Sequence, residues 1–365
     1  MINLPVFFLS QYRHMNRRLY LIALLIGLLL FGYAVWETQF KNADKLVTFE
    51  RTPEGIMGTS CRLLVVADYR DKDIAKKILD KAEFRIRYIE SVASNWIDES
   101  EISNFNAAPA LSSFEFGEDN WIILQYAYKA YSQTYGVFDI TCRPLIELWK
   151  EAGKKGELPS DEAIQRARVS SSWKLLEFGD DQTITKKGSG VRVDLGGVAK
   201  GYAIDQAAQA MMELGAVGGL VDIGGDIRVF GKSSREDGCW AIEVQDPFKP
   251  GTITEIKLCE GQSVCTSGDY ARYVEIGGKR YSHIIDPVSG YPTKRVPSVT
   301  VMAEEAMVAD VWATALSVMG PKGMQSLPEG VETLMIYGDQ DFAEVYRTPS
   351  FPVQPETGVD SGQGD

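Results

Sequence analysis

The stretch Val193-Asp194-Leu195-Gly196-Gly197-Val198-Ala199-Lys200-Gly201-Tyr202 places a glycine pair at the opening of a helix. The helix is expected over Gly201–Leu214, with Ile204, Ala207, Ala208 and Met211 on one face and Gly215 as its stop. A strand over Leu220–Ile223 follows and ends at Gly224-Gly225. Glycines at a helix start let backbone approach a ligand, and the free N-terminal amides favour phosphate. Lys200 adds a positive charge there. By themselves these residues read equally as a tight strand–helix turn with a solvated lysine.

Working outward, Cys61–Ala67 is a short apolar strand. From Asp73 to Ala93 the residues Ile74, Ile78, Ala82, Ile86 and Ile89 recur at helical spacing. Trp240, Ile242 and Val244 alternate with polar or small neighbours as in a half-buried strand, and Tyr273–Ile285 forms a hairpin turning at Gly277-Gly278. Ser298–Met302 is a further strand, followed by a helix over Ala306–Met319. Strands and helices mix without strict βαβ alternation, which favours an α+β fold over a doubly wound sheet.

Three more stretches carry chemistry. Gly136-Val137-Phe138-Asp139-Ile140-Thr141-Cys142-Arg143-Pro144-Leu145 is one. Tyr281-Ser282-His283-Ile284-Ile285-Asp286-Pro287-Val288-Ser289-Gly290 is the second, a strand entering a rigid Asp-Pro turn. In Ala309-Asp310-Val311-Trp312-Ala313-Thr314, Asp310 and Thr314 stand four apart and share one helix face. A carboxylate and a hydroxyl on one face suit a hard cation such as Mg²⁺. A helix acid plus a threonine bonded to its own backbone is the plainer reading of that pair.

Composition removes several classes. The 365 residues carry 38 Lys+Arg against 50 Asp+Glu, a net charge of −12, which argues against nucleic acid as a partner. The two histidines, His14 and His283, exclude an H-E-x-x-H site and multi-histidine zinc. The five cysteines form no C-x-x-C pair, and Cys259 and Cys265 could be bridged. No G-x-x-x-x-G-K-[ST] loop occurs, and the Gly188-x-Gly190 fingerprint has Val193 where its third glycine belongs.

At the N-terminus, Leu19–Trp36 is an uncharged apolar run, and as a helix it would span roughly 27 Å. Arg13, Arg17 and Arg18 precede it, and no acid appears before Glu37. The expected topology is a cytoplasmic segment over residues 1–18, a membrane anchor over 19–36 and a tether over 37–50, with the bulk exported. That places the protein in the bacterial inner membrane with its main domain on the periplasmic side. A cleaved signal peptide is the competing reading. Residues 348–365, rich in Pro, Gly, Ser and Asp, are expected to be a disordered tail.

Taken in order, the four stretches resemble the ApbE-type FAD:protein FMN transferases. The resemblance extends to Met57-Gly58-Thr59-Ser60, Ser94-Asn95-Trp96, Ser100–Asn106, Val221–Arg228 and Thr266-Ser267-Gly268-Asp269-Tyr270, and it defines a domain over residues 51–347. It implies a T-fold-like α+β domain with FAD bound in a cleft between subdomains. It further implies flavin contacts at Met57, Trp96, Val137, Phe138, Asp139, Asp194, Lys200 and His283. Trp96 stands where many relatives have tyrosine. The implied Mg²⁺ ligands are the Gly197 carbonyl, Asp310 and Thr314. The implied activity is transfer of FMN from FAD to a Thr or Ser hydroxyl of an acceptor flavoprotein subunit, with release of AMP. A histidine's ordinary pKa lies near neutrality, so His283 is the expected general base, with Asp286 as its orienting partner. An FAD pyrophosphatase and a flavin-binding protein that leaves FAD intact are the other functions considered.

Overall fold

The structure, a computed structural model, describes residues 17–40, 46–259, 261–268 and 273–353. The chain divides into two units, residues 1–47 with 68–71 and residues 48–67 with 72–365.

In the first unit, helix α1 spans Arg17–Phe40. Its side chains Leu21, Leu25, Leu28 and Phe31 are at least 62% exposed. Among the described residues no helix is long and apolar enough to cross a membrane. The anchor expected over residues 19–36 reaches at both ends beyond the side chains described, and the cytoplasmic segment expected over 1–18 falls almost wholly outside them. The expected tether over 37–50 differs: residues 37–40 continue the helix, and Leu46–Arg51 is strand β1, whose exposure alternates as for a strand at a sheet edge.

The remaining elements follow as β2 (Cys61–Asp68), α2 (Lys72–Ala93), α3 (Glu101–Ala107), β3 (Ser113–Glu115), α4 (Glu118–Gln133), α5 (Arg143–Lys155) and α6 (Asp161–Ser170). Then come β4 (Leu176–Phe178), β5 (Thr183–Lys186), α7 (Ala199–Glu213), β6 (Gly218–Ile223), β7 (Asp226–Gly231), β8 (Trp240–Gln245), β9 (Thr252–Leu258) and β10 (Ser263–Gly268). The hairpin β11 (Tyr273–Ile276) and β12 (Lys279–Ser282) leads to β13 (Ser298–Ala303), α8 (Ala306–Met319), β14 (Glu332–Tyr337) and β15 (Glu344–Arg347).

Eight strands form one sheet in the order β1-β2-β6-β7-β10-β13-β14-β15. The pairings from β2 through β15 are all antiparallel, with Leu63 opposite Val221, Val221 opposite Arg228 and Cys265 opposite Val301. An antiparallel sheet needs no helical crossover between its strands, which is why the order of elements shows no βαβ rhythm.

Alternation along β2 sends Leu63 and Val65 to one face and Leu64 and Val66 to the other. On the first face they meet the apolar stripes of α2 (Ile78, Ile86, Ile89), α7 (Ile204, Met211) and α8 (Val311, Trp312). On the second they meet Trp240, Ile242, Ile256 and Leu258 of the β8–β9 hairpin. A smaller cluster joins α5 and α6 to β11 and to Ile285.

One pairing that the sequence left open is decided here, and one expectation is corrected. Cys259 is bridged to Cys239, not to Cys265. The cause is register: Trp240 pairs with Leu258, so the next residue outward on each strand is a cysteine, and their Cα atoms lie 4.5 Å apart. Cys265 is buried inside β10, with its thiol toward the Ala306 carbonyl. The packed domain also continues past residue 347. The Thr348 amide donates to the Thr333 carbonyl, and Phe351, 2% exposed, fills the second core. Of the tail expected over 348–365, residues 354–365 lie outside the described residues.

Candidate active site

Helices α7 and α8 pack at contact distance because Gly201 has no side chain. A Cβ on Gly201 would stand 2.4 Å from the Ala306 carbonyl oxygen and 2.6 Å from the Met307 Cα. The Gly201 amide donates to Asp310 Oδ2 at 3.0 Å, so the closest point of the two helices is also a hydrogen bond to a buried carboxylate. Asp205, one turn further along α7, accepts the Ala306 and Met307 amides at 2.8 and 2.9 Å. Glu305, the residue before α8, makes no side-chain cap, so a carboxylate from the neighbouring helix caps α8 instead. Arg228 ion-pairs with Asp205, yet burial still raises the Asp205 carboxyl above its ordinary range. Asp205 was not found in the sequence because nothing in its surroundings signals that it caps another helix.

The turn before α7 supplies the opposite wall. Asp194 accepts from the Gly196 amide at 2.9 Å and from the Arg143 guanidinium at 2.9 Å. A Cβ on Gly197 would stand 3.0 Å from Thr314 Oγ1 and 3.2 Å from the Phe138 ring, so glycine lets the turn approach the Thr314 hydroxyl. Past the end of α4, the Thr134 hydroxyl accepts the Phe138 amide and fixes the run Val137-Phe138-Asp139. Asp139 accepts both the amide and the hydroxyl of Thr141, at 2.7 and 2.6 Å. Burial outweighs those bonds and pushes the Asp139 carboxyl up to about 6.

These walls enclose a cleft of about 430 Å³. Trp96, Val137, Phe138, Asp139, Asp194, Gly197, Lys200, His283, Asp310 and Thr314, all expected from the sequence, line it together. Trp96 stands at the rim, 75% exposed, with the Lys150 ammonium 4.1 Å and the Arg143 guanidinium carbon 5.8 Å from its ring centre. Lys150 lines the cleft too, although no motif marked it. The Lys200 ammonium pairs with Asp226 and lies 4.0 Å from Asp310.

Two expected residues are placed elsewhere. Met57 is not among the residues lining the cleft. Its amide donates to Glu90 at 2.8 Å and its backbone takes a positive φ of 48° in a turn, while the neighbouring Thr59 reaches the cleft. Asp286 uses its carboxylate on its own turn, accepting the Val288 and Ser289 amides at 2.9 and 3.3 Å. An Asp-Pro turn binds that carboxylate locally, so Asp286 shapes the loop after His283.

Gly197 carbonyl, Asp310 carboxylate and Thr314 hydroxyl are three hard oxygen donors, a set that fits Mg²⁺. Asp310 is 4% exposed, and among the described residues its ion-pair neighbour is Lys200. Among the described residues no group of three or more His, Cys, Asp or Glu could hold a metal, so any cation here would rest on this mixed set.

This antiparallel sheet flanked by helices, with its cleft at the α7–α8 contact, defines a class: the chain belongs to the ApbE family, matching it over residues 57–335. Among curated relatives, the FAD:protein FMN transferase of Klebsiella pneumoniae is 30% identical over 304 residues, covering 81% of this chain and 86% of the relative. The enzyme of that name from Vibrio cholerae is 30% identical over 302 residues, covering 81% and 89%. Among solved structures, the flavin transferase ApbE of Vibrio cholerae superposes with a TM-score of 0.72 at 28% identity, covering 84% of this chain and 98% of that one. The ApbE protein of Thermotoga maritima gives 0.73 at 33% identity, covering 83% and 97%.

Proposed function

We propose that this protein is an FAD:protein FMN transferase, which moves the FMN half of FAD onto a Thr or Ser hydroxyl of an acceptor protein and releases AMP. The observation that carries this reading is the convergence of Trp96, Asp139, Lys200, His283, Asp310 and Thr314 in one cleft. FAD enters as substrate. Trp96 offers an aromatic face for a ring of the dinucleotide, and Val137 and Phe138 give an apolar wall. Lys200, at the cleft wall, presents positive charge to the diphosphate. Gly197, Asp310 and Thr314 would hold Mg²⁺, which supplies charge neutralisation at the diphosphate oxygens.

The acceptor hydroxyl oxygen attacks the phosphorus of the FMN half. A new P–O bond forms, the P–O bond to the AMP phosphate breaks, and AMP leaves with that electron pair. His283, at the cleft wall, takes the hydroxyl proton.

The test is product analysis with purified protein, FAD and Mg²⁺, with and without an acceptor. Transfer predicts AMP release that depends on the acceptor. Acceptor-independent release of free FMN and AMP would assign a pyrophosphatase, and persistence of intact FAD would assign a binding protein.

The chain is further proposed to be anchored by residues 19–36 in the cytoplasmic membrane, with residues 51–353 outside the cytoplasm. The support is the uncharged run Leu19–Trp36 behind three arginines and the exposed apolar side chains of α1. The Cys239–Cys259 disulfide suits an oxidising compartment. Reporter fusions after residue 50 test this: only an exported reporter should be active.

A further inference from the structure

Asp226 opens β7, is 1% exposed and is not among the residues lining the cleft. Its Oδ1 accepts the Thr266 amide at 2.9 Å. Its Oδ2 is buried and faces the Lys200 ammonium, its counter-charge among the described residues. That ammonium is also 4.0 Å from Asp310, the one carboxylate among the proposed Mg²⁺ donors. One lysine therefore stands between two buried acids and closes on the one outside the cleft wall. A third acid, Asp222 on β6, also feels the Lys200 charge, but it accepts the Gly225 amide and faces Arg62 at 4.0 Å.

An ammonium and a divalent cation compete for the same carboxylate oxygen. With Asp226 present, the lysine has a counter-charge of its own. Without it, the ion-pair partner left to the lysine among the described residues is Asp310. We propose that Asp226 is a positioning residue: it draws the Lys200 ammonium away from Asp310 and so leaves Asp310 open to a divalent cation. This rests on the reading of Gly197, Asp310 and Thr314 as the Mg²⁺ donors.

The test is Mg²⁺ binding by calorimetry on wild type, D226N, K200M and the double variant, with folding checked by circular dichroism. Asp226→Asn should weaken Mg²⁺ binding by about ten-fold when Lys200 is present. In the K200M background the same substitution should change it by less than about two-fold, because no ammonium remains to be redirected. Simple loss of a distant negative charge would instead weaken binding equally in both backgrounds, and that result overturns the proposal. Wild-type binding in D226N overturns it as well. If wild type binds no Mg²⁺ at all, the metal reading falls first and this one with it. Asp226→Ser is the second neutral variant should D226N not fold.

Discussion

Gly201→Ala tests whether the contact between α7 and α8 builds the site. Glycine to alanine inside a helix ordinarily stabilises by about 1 kcal/mol. Here the new Cβ would meet the Ala306 carbonyl oxygen at 2.4 Å and the Met307 Cα at 2.6 Å, both backbone atoms that cannot rotate away. Carbon atoms rest about 3.5–4.0 Å apart, so α8 must retreat by about 1 Å. Overpacking of this kind costs about 1–3 kcal/mol. The retreat also stretches the bond from the Gly201 amide to Asp310, and a bond to a charged group contributes about 1.5–3 kcal/mol. Less the propensity gain, the variant should lose about 1.5–5 kcal/mol and its Tm should fall by roughly 3–10 °C. A displacement of about 1 Å at a catalytic group can cost ~10²-fold in rate. Transfer should therefore drop by about that factor in protein that is still folded at the assay temperature. Calorimetry and an FMN-transfer assay at saturating FAD measure both. A Tm at or above wild type, with an unchanged rate, would refute the claim that this contact sets the position of Asp310.

Asp310→Ala should abolish transfer while part of the FAD affinity survives through the ring contacts, and Thr314→Ala should be milder because water can replace a neutral oxygen; equal activity of Asp310→Ala and wild type at limiting Mg²⁺ would contradict the metal assignment. His283→Ala should hold FAD within about ten-fold of wild type but slow transfer by at least ~10²-fold, read by separate binding and rate measurements, and failure through lost FAD binding alone would make His283 a ligand contact. The Asp139 carboxyl is raised in the fold from 3.8 to about 6, so its protonated form is the one that folding favours. Its contribution to stability is complete below about pH 4 and is lost as pH rises through about 6, a change on the order of 3 kcal/mol. Melting curves from pH 4 to 7 should show wild type losing stability relative to Asp139→Asn over that window, and a constant difference would contradict the burial argument.

Elements whose apolar residues point one way were legible. The helix expected over Ala306–Met319 has those limits in the structure, because a run of small and apolar residues there ends at Gly320. The turn at Gly277-Gly278 and the strand opening at Cys61 also stand where the pattern put them, but the hairpin expected to reach Ile285 ends at Ser282, so His283 lies just past its strand. Helix α7 begins at Ala199, two residues before the expected start at Gly201, since Lys200 and Gly201 give no boundary signal of their own. Helix α5 went unread although Pro144 in its first turn and the left-handed Gly156 at its end are ordinary start and stop signals. The cleft residues were legible as a set of motifs, but their partners were not. Lys200–Asp226, Asp205 with the α8 amides and Cys239–Cys259 join residues distant in sequence, and only strand register and helix packing bring them together. Met57 and Asp286, inside matching stretches, also bond within or beside their own turns, which the motif pattern alone did not show.

The most direct test of the account is intact-protein and peptide mass spectrometry of an acceptor flavoprotein subunit co-expressed with this chain. The account predicts a mass gain equal to one FMN joined through phosphate to a single Thr or Ser, absent when the partner is the Asp310→Ala variant. An acceptor that gains no flavin while FAD is consumed to free FMN and AMP would contradict it.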